Sequence, residues 1–313
     1  MRMLCMMPVH SYGDQGRKES YELINFFHPL VNLFSKQGGE CKIFDFIYLV
    51  KTFGKEKANR MLIVEIKKYK PDYFFSSLYK PEYDPDLNII KQLTDKGCDT
   101  INWFSDDHWR LHKYSLKVAP AFKRVITTDF NAVSEYKKNN IEVLLSQWAC
   151  NPERYKKINI EKTIDVSFIG QAHGVRPSII KTLKNNGINI KTYGFGWKSS
   201  ILTFEEMIEI INRSKICLNF SESSGKKPRQ IKGRVFEIPA CGTFMITGYA
   251  PKLEDFYVIG KEIETYETLP DLISKIKYYI KHDEIRESIA KTGYKKTITK
   301  HTWRSRFEKI YFP

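Results

Sequence analysis

Several patterns that mark large classes of protein are missing from this sequence. It has no run of about 18 apolar residues, the length that a membrane-spanning helix requires. Its 6 cysteines are scattered, with no C-x-x-C pair and no spacing typical of a zinc site or a disulfide framework. The P-loop, the G-x-S-x-G nucleophile elbow and the H-E-x-x-H motif are absent as well. Kinase, hydrolase and metalloprotease functions therefore lose their best support, and the cysteine pattern favours a reducing cytosol.

Acidic residues are scarce relative to basic ones. The chain of 313 residues has 51 Lys and Arg against 36 Asp and Glu, a formal net charge of +15 and a pI near 9.3. Such an excess is typical of a lysine-rich solvated surface, or of attraction to an anionic acceptor, an anionic membrane surface or nucleic acid. Composition leaves these alternatives open.

The sequence does contain short apolar runs that alternate with longer segments of helical period, which predicts βα units and parallel sheets. The first half has predicted strands at residues 2–8, 41–46, 73–78, 100–104, 124–127 and 143–145, and predicted helices at 20–36, 55–70, 85–96 and 131–139. A polar connection at residues 146–163 precedes a second series. Its strands are predicted at 165–169, 190–193, 216–220, 243–247 and 263–266, and its helices at 177–186, 204–213, 230–241 and 269–282, with two more between 283 and 311.

We therefore predict an α/β protein of two Rossmann-like, doubly wound lobes. The N-terminal lobe comprises residues 1–150 and the C-terminal lobe residues 151–313, and the final helix is expected to pack back on the N-terminal lobe. Ligands of open α/β sheets bind beyond the carboxyl ends of the strands. We expect the two lobes to face a central cleft.

The most informative stretch is SESSGKKPRQIKGRVFEIPACG, residues 221–242. A Gly-bearing loop that opens onto a helix exposes backbone N–H groups and suits a diphosphate, which Lys and Arg side chains would neutralise. Glu237 lies three residues after Arg234, on the same helix face. In a phosphate site this carboxylate would accept hydrogen bonds from a ribose diol. The alternative is a solvated basic helix with a surface Glu–Arg pair.

Residues 232–310 resemble the donor-binding half of the spore-maturation-protein-like group of GT-B glycosyltransferases, which is related to the retaining sucrose- and glycogen-synthase-like family. The hallmark R-x-F-E-x-x-A-C-G is present as Arg234, Phe236, Glu237, Ala240, Cys241 and Gly242. The similarity continues through the H-D-E-x-R turn at 282–286 and the H-T-W helix start at 301–303.

The resemblance implies a retaining, metal-independent hexosyltransferase without a cofactor, whose donor is a nucleotide sugar, UDP-linked. It implies that the C-terminal lobe binds the donor and the N-terminal lobe the acceptor. Glu237 would hold the ribose hydroxyls, Phe236 would belong to the donor site, and Lys232 and Arg234 would act as catalytic residues at the diphosphate. The broader retaining family has an earlier Glu, seven intervening residues before this one, where this chain has Arg229.

Two further loops of the C-terminal lobe are donor-binding candidates. GQAHGVRP follows a strand and offers Gly170 and Arg176 ahead of a helix, although it could equally be an ordinary βα turn. YGFGW places Tyr193, Gly194 and Trp197 after the next strand, where the aromatic rings would suit a nucleobase. The same run is one residue short of a dinucleotide fingerprint, with Glu209 or Glu222 as the acidic ribose partner, which keeps a dehydrogenase alternative open. 

In the N-terminal lobe, SDDHWRLH follows the strand at 100–104 and makes Asp107 and His108 candidate catalytic residues that orient the acceptor or move its proton. His108 and His112 share a helical spacing that would also suit a metal, but no third ligand is evident, so we predict no metal site. A polar helix start is the structural alternative. The loop at residues 10–20 supplies the acceptor-side candidates Gly13, Asp14, Gly16 and Arg17, or is a plain turn.

The function predicted from the sequence is transfer of a sugar from a nucleotide sugar to an acceptor in the cytoplasm. The acceptor is expected to be anionic: a glycan, a lipid-linked molecule or nucleic acid, with peripheral membrane contact possible and no transmembrane segment. Two alternatives stay open. One is the same chemistry on DNA bases, and the other is a non-catalytic nucleotide- or nucleic-acid-binding protein of the same fold.

Overall fold

A computed structural model of the chain describes residues 1–11, 18–199, 201–222 and 229–313. It contains two compact units. The first is Met1–Gln147 together with Arg306–Pro313, and the second is Trp148–Ser305. Within the described ranges, no helix combines the length and apolar character needed to cross a membrane.

The first unit is a six-stranded parallel sheet with helices between its strands. In chain order its elements are β1 (Arg2–Met6), α1 (His28–Lys36), β2 (Glu40–Phe44), α2 (Phe46–Phe53), α3 (Lys55–Tyr69), β3 (Tyr73–Ser76), α4 (Leu87–Asp95), β4 (Asp99–Phe104), α5 (Asp107–Arg110), α6 (Leu116–Val118), β5 (Arg124–Thr127), α7 (Ala132–Lys138) and β6 (Glu142–Leu145). The strand order is β2-β1-β3-β4-β5-β6. The order reverses between β1 and β3, and such a switch point is where open α/β sheets bind ligands.

Helix α2 is a correction to the sequence-based assignment. The run Phe46–Val50 is apolar and follows a predicted strand, so its periodicity gave no sign of a helix. Asp45 sets the start instead, because its side chain accepts a hydrogen bond from the Tyr48 backbone N–H at 2.9 Å. The segment from α5 to α6, with a π-helical turn at Leu111–Ser115 between them, was not among the predicted helices, and it agrees with the polar helix start given as the structural alternative for this stretch.

The second unit is a five-stranded parallel sheet. Its elements are β7 (Ile164–Ile169), α8 (Arg176–Asn185), β8 (Ile190–Tyr193), α9 (Phe204–Arg213), β9 (Ser214–Asn219), α10 (Arg234–Ala240), β10 (Phe244–Gly248), β11 (Glu264–Tyr266), α11 (Leu269–Lys281), α12 (Asp283–Lys300) and α13 (Trp303–Tyr311). The strand order is β11-β10-β9-β7-β8, which reverses between β7 and β9. The prediction of two parallel α/β lobes is therefore confirmed.

The end of α13 belongs to the first unit. Phe307 is fully buried there, with ring centroids 5.4 Å from Phe75 and 6.1 Å from Phe26 in edge-to-face contacts. Aromatic burial of this kind contributes on the order of 2 kcal/mol per ring. The chain terminus is thus part of the core of this unit.

Candidate functional site

The candidate site of the second unit lies at its switch point, where β7 and β9 end at the same edge of the sheet. β7 leads into the loop from Gly170, and β9 leads through Phe220 into Ser221 and Glu222. Because all strands are parallel, β11 delivers Tyr266 to this same edge. Groups from three loops are therefore gathered where such a fold binds its ligand.

The two loops after β7 and β8 are bound to each other. Gly170 N–H donates to the Tyr193 carbonyl at 2.9 Å, and Trp197 Nε1 donates to the Gly170 carbonyl at 2.7 Å. Gly194 has φ +118°, and a Cβ there would lie 2.6 Å from the Gly170 oxygen. Only glycine permits this close approach. The indole of Trp197 also packs edge-on against Phe168 and so contacts the hydrophobic core of the second unit.

Arg176, the first residue of α8, has an unsatisfied donor. Its guanidinium lies 5.5 Å from the Phe168 ring centroid, and Nη1 donates to the Gln171 carbonyl at 3.2 Å. Its Nε is buried and has no hydrogen-bond acceptor in the part of the chain that the structure describes. Burial lowers the pKa of Arg176, while the nearby Glu222 carboxylate raises it. A buried cationic N–H without an acceptor is costly, and an anionic ligand would relieve it.

Glu222 and Tyr266 form a second group of unsatisfied atoms. Glu222 Oε1 pairs with Arg229 Nε at 3.3 Å, and Arg229 Nη2 donates to the Glu267 carbonyl at 2.7 Å. Glu222 Oε2 and the Tyr266 hydroxyl are buried without hydrogen bonds to any described residue. Burial and the neighbouring Glu222 raise the pKa of Tyr266 well above its usual value. Its hydroxyl therefore stays protonated and can donate.

His173 adds a further polar atom to the same loop. Its Nδ1 is buried and makes no hydrogen bond within the described ranges. Burial and the charges of Arg176 and Lys232 lower the pKa of His173, which favours the neutral imidazole. Lys232 is half-buried and lies two residues before the start of α10.

Arg234 and Glu237 are one turn apart on α10 and form an ion pair. Glu237 is 1% exposed, whereas the Arg234 side chain is 28% exposed and its Nη2 contacts Met207 Sδ at 3.0 Å. The helix begins at Arg234, four residues later than predicted, and is 7 residues long. A helix this short adds little dipole, so the side chains must supply most of the positive potential.

Phe236 is on the side of α10 that packs into the core of the second unit. Its ring is fully buried between Phe256, Tyr257 and His301, with centroids 5.5 to 5.9 Å away. His301 Nε2 is 2.9 Å from the Phe256 carbonyl oxygen and fixes this cluster. The structure thus places Phe236 where it supports the helix that carries Arg234 and Glu237, and its predicted donor contact stays a prediction.

The catalytic candidates of the first unit follow β4. Asp107 is 3% exposed and accepts a hydrogen bond from the Tyr136 hydroxyl at 2.9 Å. Burial raises the pKa of Asp107, against the lowering effect of its hydrogen bonds. His108 is half-buried and His112 is exposed, with the π-helical turn beginning between them. Gly13, Asp14, Gly16 and Arg17, as well as Lys226 and Lys227, lie outside the described residues.

A small apolar pocket occupies the switch point of the first unit. It has a volume of about 20 Å³ and lies between the residues that follow β1 and β3, with walls from Met7, Pro8, Leu78, Phe46 and Asp84 among others. Tyr114 donates a hydrogen bond to Asp84 at 2.7 Å, and burial raises the pKa of Asp84 to about 6. Among the described residues, no group of three or more His, Cys, Asp or Glu side chains is placed to hold a metal ion.

Sequence reasoning missed the importance of several of these residues. His173 and Glu222 lie in segments that the sequence had singled out, but neither they nor Tyr266 were predicted as contacts of a nucleotide sugar, and Asp84 precedes a helix without any pattern of its own. The rule that parallel strands deliver their following residues to one edge would have found the first three, given the correct strand order.

Known proteins resemble this chain in part of its sequence and in its fold. Residues 176–311, a little under half of the chain, match a family model described as glycosyl transferase-like. No curated protein is significantly similar in sequence. Assignment to the spore-maturation-protein-like group stays a prediction.

Solved structures share the fold over nearly the whole chain. Sucrose-phosphate synthase from Thermosynechococcus elongatus has a TM-score of 0.68 at 8% identity, with 99% of this chain and 98% of that chain covered. A glycosyltransferase from Rickettsia africae has a TM-score of 0.67 at 10% identity, with 99% and 97% covered. Anabaena HepE in complex with UDP and glucose has a TM-score of 0.65 at 9% identity, with 99% and 98% covered. The two parallel α/β units therefore make a GT-B fold.

Proposed function

We propose that this protein is a glycosyltransferase that moves a hexose from a UDP-linked sugar to an acceptor. The observation that carries the proposal is the set of unsatisfied buried polar atoms at the switch point of the second unit. Arg176 Nε, His173 Nδ1, Glu222 Oε2 and the Tyr266 hydroxyl lack hydrogen bonds among the described residues. A ligand with both anionic and hydroxyl oxygens would satisfy them, and a nucleotide sugar has both.

The diphosphate is assigned to the cationic side of this group. Arg176 begins α8 after the loop that follows β7, and Arg229 and Lys232 lie between β9 and α10. Charge-assisted hydrogen bonds from guanidinium groups to phosphate are among the strongest in proteins. These cations would stabilise the charge that develops on the leaving diphosphate, a role that a metal takes in other enzymes. The proposal is therefore a metal-independent transfer, with Lys232 and Arg234 as the catalytic cations.

The ribose is assigned to Glu237. A carboxylate can accept two hydrogen bonds from a diol, and the ion pair with Arg234 fixes the orientation of Glu237. The backbone of Gly170 and Gly194 would border the donor, and Tyr193 and Trp197 would lie toward the base. Support for UDP comes from Anabaena HepE, whose structures contain UDP or UDP-glucose.

The transferred sugar is assigned to Glu222 and Tyr266. Glu222 Oε2 can accept from a sugar hydroxyl and the Tyr266 hydroxyl can donate to one, so the pair suits a hexose. Glu222 would take over the sugar contact that the related family makes from the position of Arg229. Retention of configuration remains part of this proposal, and so does an acceptor-side role for Asp107, His108 and the loop with Gly13, Asp14, Gly16 and Arg17.

A thermal-shift panel of nucleotides and nucleotide sugars tests the proposed function. A ligand that binds only the folded state raises the melting temperature. We expect UDP and at least one UDP-sugar to raise it, and GDP and ADP to have a smaller effect. If no nucleotide or nucleotide sugar shifts the melting temperature, the donor-site assignment is wrong. Transfer assays with the stabilising donor then separate an enzyme from a binding protein of the same fold.

A further inference from the structure

The helix pair α2 and α3 of the first unit carries an unusual number of exposed apolar side chains. Tyr48 is 59% exposed, Phe53 44%, Ile63 37% and Val64 63%. All four lie within 17 consecutive residues, where a soluble helix pair normally turns polar groups outward. Clustered exposed apolar groups of this kind mark interaction surfaces.

The same helix pair is strongly basic. Residues 46–70 contain seven Lys or Arg and two Glu, a net charge of +5 out of the +15 of the whole chain. All seven basic residues are exposed: Lys51, Lys55, Lys57, Arg60, Lys67, Lys68 and Lys70. Together with Tyr48, Phe53, Ile63 and Val64 they form what we call the α2–α3 face.

The opposite side of the helix pair is fixed in the core. Phe46, Ala58 and Leu62 are buried in the hydrophobic cluster of the first unit. Lys42 and Glu65 form an ion pair at 2.7 Å that ties α3 to β2. The fold is therefore secured by the inner side, and the exposed apolar groups are not needed to hold the helices in place.

Apolar and basic groups are interleaved on the α2–α3 face. Arg60, Ile63, Val64 and Lys67 follow the i, i+3, i+4, i+7 spacing that places residues on one side of a helix. Lys57 Nζ lies 4.4 Å from the ring centroid of Phe53, at the turn between the helices. An amphipathic surface with aliphatic and aromatic groups between lysines is the pattern of helices that lie in a membrane interface.

We infer that the α2–α3 face docks the protein on an anionic lipid bilayer. Lysines would meet the negatively charged headgroups, and the four apolar side chains would enter the boundary between headgroups and acyl chains. Tyr48 suits that boundary because its ring is apolar and its hydroxyl is polar. This inference does not depend on the proposed reaction, because bilayer binding requires no donor.

Nucleic acid is the less suitable partner for this face. The phosphates of a nucleic acid would form ion pairs with the cations of this face. Ile63 and Val64, however, make no favourable contact with a phosphate backbone and cannot stack on bases as aromatic rings do. Six of the seven cations are Lys, whereas base recognition relies on the bidentate geometry of Arg. A lipid bilayer would interact with both the basic and the apolar side chains of the α2–α3 face.

Co-sedimentation of the full chain with vesicles tests the inference. We expect binding to vesicles of phosphatidylcholine mixed with phosphatidylglycerol, and weak binding to phosphatidylcholine alone. The variant K67E/K68E should lower the partition coefficient for anionic vesicles about tenfold or more, and Val64→Ser should lower it severalfold. Duplex DNA is included as a competing probe.

Matched variants on α12 serve as controls. K291E/K295E makes the same charge change at exposed positions, and Ile285→Ser removes an apolar group that is 43% exposed. Both should leave vesicle binding unchanged. The inference is overturned if the chain does not bind anionic vesicles, if it binds DNA in preference to them, or if the α12 variants reduce binding as much as the α2–α3 variants. Circular dichroism establishes that each variant is folded.

Discussion

Glu237 is almost fully buried, and the guanidinium that neutralises it belongs to Arg234, one turn earlier on α10. A buried carboxylate is tolerated only when it is paired, so the two side chains act as a unit. Arg234 is partly exposed, so the ion pair has one side toward solvent. Phe236, on the same helix, packs against His301 in the core. This relationship links the stability of α10 to the proposed ribose site.

Replacement of Glu237 by Gln should weaken UDP binding. The change keeps the shape but removes the charge that accepts from the ribose diol, so we expect the dissociation constant to rise about 10- to 100-fold. Calorimetry with UDP measures this directly. The control is Glu209→Gln on α9, which breaks an exposed ion pair with Arg213 and should leave UDP affinity unchanged. Equal affinity in Glu237→Gln and the wild type would contradict the ribose assignment.

Removal of Arg234 should reduce both turnover and stability. Arg234→Ala leaves the Glu237 carboxylate buried without its partner, which should lower the free energy of unfolding by about 2 to 4 kcal/mol. It should also lower kcat by about 100-fold if the guanidinium stabilises the leaving diphosphate. The double variant R234A/E237Q should recover most of the stability and none of the turnover. Urea unfolding measures the loss of stability, and steady-state kinetics measure the loss of turnover. Wild-type turnover in Arg234→Ala would show that Arg234 does not stabilise the leaving diphosphate.

Arg176→Ala should weaken binding of the diphosphate and leave binding of the nucleoside unchanged. Its unsatisfied Nε is expected to meet a phosphate oxygen, so UDP binding should fall about tenfold or more while uridine binding stays the same. Calorimetry with both ligands gives the ratio. Lys181→Ala, at an exposed position of the same helix, is the control. A parallel loss of uridine and UDP affinity would show that Arg176 has a structural role instead.

The buried Asp84 should make stability depend on pH. Its pKa is raised to about 6 from an ordinary 3.8, so between these values the folded state holds a proton that the unfolded chain releases. The stability contribution of Asp84 is therefore highest at low pH and is lost as the pH rises through this window. Asp84→Asn cannot ionise, so the variant should gain about 2 kcal/mol relative to the wild type between about pH 4 and about pH 8. Urea unfolding at both pH values checks this, and a constant difference would refute it.

Much of the fold could be predicted because local signals and tertiary structure agree. Helix α9 begins and ends where it was predicted, because Thr203 and Glu206 form a capping box ahead of an apolar periodicity. The strands were found because parallel strands are continuous apolar runs. Helix α2 was missed for the same reason, since its apolar run reads as a continued strand until Asp45 is recognised as its cap.

The candidate site was predicted less completely than the fold. The motif identified Arg234 and Glu237, and the structure confirms that they share a helix face and form an ion pair. It could not reveal that Trp197 donates its indole N–H to the Gly170 carbonyl. Nor could it reveal that Glu222 and Tyr266 meet at one sheet edge, because 43 residues separate them in sequence and only the strand order brings them together.

A crystal structure of the protein soaked with UDP will show whether the nucleotide occupies the proposed donor site. We expect density for the diphosphate against Arg176 and the loop that begins at Gly170, with the ribose hydroxyls within hydrogen-bond distance of Glu237. A pocket that stays empty at saturating UDP, or a nucleotide bound elsewhere on the chain, would contradict this expectation.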